Sequence, residues 1–170
     1  MRLFISINLS VENRQQIREY ITSLKKENIQ ANFIDPDNAH ITLVFIGETN
    51  RLECVKKAIE NIEFKPFEIS TNRLGYFNTP SGKILWLGID NESKLKELAS
   101  LVRSNLEKAN IPFDRKNFSA HITIARKARI NTNILVKAPK IDIKASYISI
   151  METIFENNKP TYKERIVKIL

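Results

Sequence analysis

The chain carries two histidines, His40 and His121, and each is followed at the second position by a threonine, in Ala39-His40-Ile41-Thr42 and Ala120-His121-Ile122-Thr123. Free imidazole titrates near pH 6.5, so two rings around one substrate can divide the work of proton transfer. The neutral ring takes a proton from water and the charged ring gives one to a departing oxygen. The hydroxyls of Thr42 and Thr123 are donors that can hold the non-bridging oxygens of a phosphate as negative charge builds there. A cyclic phosphodiester suits this set, because its leaving oxygen stays tethered and its ring is strained. Nothing in the set requires a metal.

Such a site needs elements that bring the two runs together. Residues i and i+2 of a strand share a face. His40 and Thr42 therefore point one way and Ile41, Leu43 and Phe45 the other; His121 and Thr123 stand opposite Ile122 and Ile124 in the same manner. Upstream of the first run, "RLFISINL" alternates as a strand, Ser10 is a good N-cap, and Ile17, Tyr20, Ile21 and Leu24 follow at helical spacing. Upstream of the second, "KILWLGID" alternates, and a helix is expected from Asp90 or Asn91 with Leu95, Leu98, Ala99, Val102 and Leu106 on one stripe. From Phe4 to His40 is 36 residues, and from Trp86 to His121 is 35.

Order, spacing and motif thus repeat. Two units cannot form a solenoid, but they can face each other across a cleft. The expected fold is α+β: a bilobal, duplicated unit with pseudo-two-fold symmetry, its lobes built around residues 1–47 and 83–126. Each half adds elements, a helix near 51–62 and strands near 64–77, then strands near 141–151 and 162–169. The last two, "ASYISIMET" and "YKERIVKIL", read as a closing pair bridged by the polar "ENNKP". The whole of 1–170 reads as one domain.

Each singled-out residue has a plainer reading. A lone histidine in an apolar strand is usually a satisfied structural residue; the repeat argues against that for the pair. Two histidines could also begin a zinc site, but a catalytic zinc needs a third ligand, and no His or carboxylate stands at the usual short spacing. Cys54 is the only cysteine, which rules out an internal disulfide and fits a reducing compartment. With a net charge of +8, contact with a polyanion is plausible, although the basic residues are spread without a tail. The longest apolar runs fall short of the roughly 20 residues of a membrane helix, and the N-terminal stretch is too interrupted for a secretory signal.

The segments "RLFISI", "NAHITLVFIGE" at 38–48, "KILWLGI" at 83–89, "AHITIAR" at 120–126 and the late "ISIMET" together resemble the 2H phosphoesterase superfamily, and within it the RNA 2′,3′-cyclic phosphodiesterases also described as 2′-5′ RNA ligases. The resemblance covers nearly the whole chain in order. It implies two mostly antiparallel sheets lining a central cleft, with helices packed outside. It implies opening of a terminal 2′,3′-cyclic phosphate on RNA to a 2′-phosphate, in some members with ATP-independent joining or cleavage of 2′-5′ linkages. By motif position His40 and His121 are the catalytic pair, with His40 protonating the departing 3′-oxygen and His121 activating water. Thr42, Thr123 and Arg126 bind the substrate phosphate. No cofactor and no metal are implied, and the expected enzyme is a cytoplasmic monomer that meets RNA ends and no membrane. One departure is Ala120, where the family commonly has proline.

Arg126 poses a geometric problem, since strict alternation aims it away from the histidine face; a bulge would be needed to bring it back. Phe4 and Trp86 share the histidine side, where base stacking competes with packing in the core. Arg115, Lys116, Lys127 and Arg129 could steer an RNA backbone, or form a solvated loop. Other substrates of the same site, 2′-5′ oligonucleotides or small cyclic nucleotides, depend on pocket shape set by loops at 71–82 and 127–140, which carry no readable code. A non-catalytic RNA-binding module would leave the paired His-x-Thr runs without a purpose.

Overall fold

The computed structural model describes residues 1–130, 133–157 and 159–170. Strand β1 (Arg2–Asn8) leads into helix α1 (Val11–Lys25), whose first turn is capped by Ser10: its side-chain oxygen accepts from the Asn13 N–H at 3.1 Å. A short strand β2 (Gln30–Phe33) and a single 3₁₀ turn at Pro36–Asn38 precede β3 (His40–Glu48) and α2 (Leu52–Glu60). The second half runs β4 (Phe67–Thr79), β5 (Gly82–Asp90), α3 (Ser93–Lys108) and β6 (His121–Arg129). Strands β7 (Asp142–Ala145), β8 (Tyr147–Glu156) and β9 (Lys159–Ile169) complete the chain. The expected closing pair is β8 against β9, antiparallel; Asn158, within the polar "ENNKP" run, lies outside the described residues.

The class is α+β, with strands paired antiparallel throughout. Their order is β7-β4-β5-β6-β3-β1-β8-β9, with β2 beside β6. This corrects the expectation of two separate sheets. The two histidine strands come side by side, and the pair Ile41↔Ile122 joins both groups of four strands into one hydrogen-bonded path. Strand β2 was not anticipated, because "QANF" is too short and too polar to declare a period.

The face opposite the histidines is the core. Leu3, Ile5, Ile7, Ile41 and Leu43 from the first group and Leu85, Leu87, Ile89, Ile122 and Ile124 from the second are all buried. Ile17, Ile21 and Leu24 of α1, Val55 and Ile59 of α2, and Leu95, Leu98, Val102 and Leu106 of α3 join them in one apolar cluster. Burying each such side chain fully is worth about 1.5–3 kcal/mol, which holds the strands in register and fixes which residues are left for the other face. Helix α3 starts later than its stripe suggested: Asp90 still belongs to β5, and Asn91 takes a left-handed backbone (φ 55°) that no helix can include. Among the described residues no helix is long and apolar enough to cross a membrane.

Candidate active site

His40 opens β3 and His121 opens β6, and the alternation holds in both runs: His40, Thr42, His121 and Thr123 are half-buried while Ile41, Leu43, Ile122 and Ile124 are buried. Each ring is fixed in the same way. His40 Nδ1 lies 2.7 Å from the Asn38 carbonyl oxygen, and His121 Nδ1 lies 2.7 Å from that of Ser119. A carbonyl only accepts, so Nδ1 carries the hydrogen in both rings, and Nε2 is the atom left for chemistry. On His40 that Nε2 sits 3.0 Å from the Thr42 hydroxyl oxygen.

Aromatic side chains wall both rings. His40 packs against Phe4 (centroids 4.9 Å apart) and Tyr162 (5.0 Å, edge-on), which also touch each other at 5.2 Å. His121 meets Phe77 at 5.1 Å, edge-on, and Trp86 at 6.4 Å. Burial therefore pushes His40 down to about 4, against the hydrogen bond to Asn38, which raises it; the charges of His121 and Arg126 lower it further. Burial also lowers His121, opposed by the Ser119 carbonyl and assisted by Arg126. Both imidazoles are neutral near pH 7 in the unliganded chain.

That Arg126 acts on both rings answers the problem posed by strict alternation. Leu85 pairs with Ala125 but Trp86 pairs with Thr123, so Ile124 is an extra residue in β6. Ile124 and Ala125 are accordingly buried in succession, and the parity of the strand flips. Arg126 emerges exposed on the histidine side. Strand β3 does the same: Ile5 pairs with Val44 and Ser6 with Thr42, leaving Leu43 extra, with Leu43 and Val44 both buried. Phe45 is thereby turned to the histidine face, where it is 52% exposed and its ring lies 6.0 Å from Phe4. Alternation had assigned Phe45 to the core side. The signal that could have found it is spacing, since Phe45 stands five residues after His40 as Arg126 stands five after His121.

Other anticipated residues have other fates. Phe4 is 2% exposed, packed on the histidine side against His40, Phe45 and Tyr162, and so too buried to stack on a ligand base. Trp86 is half-buried, with Phe77 beside it at 5.2 Å. Arg115 pairs with Glu107 at 2.8 Å and Lys116 with Asp114 at 3.4 Å, so each has a carboxylate partner, while Lys127 and Arg129 are exposed near the end of β6. Segment 71–82, read as a loop, is mostly the β4–β5 hairpin. In segment 127–140, residues 131 and 132 lie outside the described residues. Among the described residues no three of His, Cys, Asp or Glu cluster as a metal site would require.

The chain has relatives among known proteins. Residues 13–138 match the 2′-5′ RNA ligase superfamily, and the chain belongs to that family. It is 32% identical over 138 residues to the RNA 2′,3′-cyclic phosphodiesterase of Archaeoglobus fulgidus, spanning 79% of this chain and 77% of that one. It is also 32% identical over 132 residues to the protein of the same name from Thermotoga maritima, spanning 74% and 70%. Among solved structures, E. coli LigT in its apo form superposes with a TM-score of 0.86 at 22% identity, over 99% of this chain and 96% of that one. LigT has also been crystallised with 3′-AMP, with a TM-score of 0.86 to this chain.

Proposed function

We propose that this enzyme hydrolyses the 2′,3′-cyclic phosphate at the end of an RNA strand, without a metal, to leave a 2′-phosphate and a free 3′-hydroxyl. The reading is supported by the two imidazoles, each held by a main-chain carbonyl at Nδ1 and presenting Nε2 on one face of β3 and β6. The names of the curated relatives point to the same substrate class.

In the proposed reaction the anionic phosphate enters between the histidines, in a cleft whose two walls are related by the repeat. Its charge draws a proton onto His40. By motif position His40 takes the acid role and His121 the base role, and burial, which lowers the proton affinity of both rings, makes charged His40 a ready proton donor. His121 Nε2 takes a proton from water as the hydroxide oxygen bonds to phosphorus. His40 Nε2 gives its proton to the 3′-oxygen as the P–O3′ bond breaks. Thr42, Thr123 and Arg126 donate to the non-bridging oxygens, where charge accumulates in the transition state. Phe45 offers the base of the terminal nucleotide a stacking face. The 5′-hydroxyl of a second strand in place of the water would give the 2′-5′ joining chemistry that the resemblance implies. All of these groups come from one chain, so the reaction needs no second copy.

The test is turnover of an RNA oligonucleotide with a 2′,3′-cyclic end in the presence of EDTA, followed by mapping of the product phosphate. Full activity in EDTA and a 2′-phosphate product are expected. Loss of turnover in EDTA would restore a metal mechanism, and a 3′-phosphate product would reverse the two histidine roles. Each of His40→Ala and His121→Ala lowers kcat by at least about 10² while substrate binding is largely kept.

A further inference from the structure

Two glycines on the histidine face of the β4–β5 hairpin are covered by large side chains from the neighbouring strand. Trp86 lies over Gly75, where a Cβ would fall 2.2 Å from the indole ring. Arg73 lies over Gly88, where a Cβ would fall 2.9 Å from Arg73 Cγ and Cζ and 3.0 Å from Nε. The guanidinium carbon lies 5.6 Å from the indole centroid, within cation–π reach. Gly88 in turn pairs across the sheet with His121. Arg73, which starts on β4, thus reaches over β5 toward the strand that carries His121, and the missing side chain of Gly88 is what clears its path.

Among the described residues the guanidinium has no ion pair. Its one hydrogen bond among the described residues is to the Asn72 side-chain oxygen at 3.3 Å, and the nearby Asp90 carboxylate is instead bonded by the Asn72 amide. Arg73 is exposed, so its donors are open to a ligand from the histidine side. An arginine held over a bare stretch of backbone and beside an aromatic ring is pre-oriented, and loses less freedom on binding a planar or tetrahedral oxyanion than a free lysine would.

We propose that Arg73 binds an internucleotide phosphate of the RNA, one removed from the reacting phosphate, and so makes the enzyme prefer a strand end over a mononucleotide. This rests on the proposed cyclic-phosphodiesterase reading and names what that site would recognise beyond the terminal nucleotide. Arg126 serves the phosphate that reacts; Arg73 serves the one that does not.

The experiment compares kcat/KM on a dinucleotide ending in a 2′,3′-cyclic phosphate with that on the corresponding 2′,3′-cyclic mononucleotide. Arg73→Gln should lower the dinucleotide-to-mononucleotide ratio about tenfold, and make the log–log salt dependence on the dinucleotide shallower by about 0.7. Gly88→Ala keeps the charge but drives the guanidinium off its shelf, and should lower the ratio comparably. An unchanged ratio in Arg73→Gln, or equal losses on both substrates, would overturn the proposal. A ratio that falls in Arg73→Gln but not in Gly88→Ala would overturn the placement on the shelf. Failure of the unaltered enzyme to turn over either substrate would instead count against the cyclic-phosphodiesterase reading itself.

Discussion

The Thr42 hydroxyl lies 3.0 Å from His40 Nε2, while among the described residues no such bond joins Thr123 to His121. In the unliganded chain the His40 lone pair is therefore occupied by its own threonine. In the proposed reaction, charging His40 turns Nε2 from acceptor to donor and releases the Thr42 hydroxyl toward a phosphate oxygen. One proton thus readies two groups. Thr42→Val and Thr123→Val should each lower kcat/KM on the cyclic RNA end about tenfold or more, with Thr42→Ser within a few-fold of the parent. Steady-state kinetics check this, and parent-like rates in Thr42→Val would remove the hydroxyl from the mechanism.

In the proposed reaction the shared bulge gives the fifth residue of each motif a different duty, base binding for Phe45 and catalysis for Arg126. Phe45→Ala should raise KM about tenfold and leave kcat nearly intact, the pattern of a lost base contact. Arg126→Gln should lower kcat about 10², because its charge matters most when the phosphate carries most. Separate kcat and KM values for the two variants decide it; the same pattern in both would refute the division.

Burial of neutral His40 links stability to acid. Its folded value, about 4, lies below the value near 6.5 in the unfolded chain, so the unfolded state binds the extra proton. The stabilisation is complete above pH 6.5, is lost as pH falls toward 4, and amounts to about 3 kcal/mol across that window. His121 adds in the same direction. Urea unfolding at pH 7 and pH 4.5 should show a smaller loss of stability in His40→Gln than in the parent. Equal losses would mean that His40 is more hydrated than its surroundings indicate.

Trp86 is the only tryptophan, and it occupies the space of a Gly75 side chain. Gly75→Ala must push the indole out of its seat, at about 1–3 kcal/mol. The change should appear together in urea unfolding and in tryptophan emission. An unaltered emission spectrum would show that the indole had other room.

What the sequence made legible was local. The two His-x-Thr runs, the Ser10 cap and the helical stripe from Ile17 to Leu24 depend on neighbours a few residues away, and each stands where the pattern put it. Arg126 and Phe45 depend on one extra residue in a strand, and no composition marks Leu43 or Ile124 as extra, since both are ordinary apolar residues. The bulges exist only in the pairing to β1 and β5, through contacts distant in sequence. The union of the strands through Ile41 and Ile122 escaped for the same reason: alternation specifies faces, and it is silent about which edges meet. Arg73 was invisible because its significance comes from an absent side chain at Gly88.

The acceptors that hold the two imidazoles are the main-chain oxygens of Asn38 and Ser119. Many histidine catalysts rely on an aspartate for this duty, and a single base change can abolish it. A peptide carbonyl has no codon of its own, since all twenty residues supply one. For this duty the side chains at positions 38 and 119 are immaterial, and the orientation of both rings is inherited with the backbone trace.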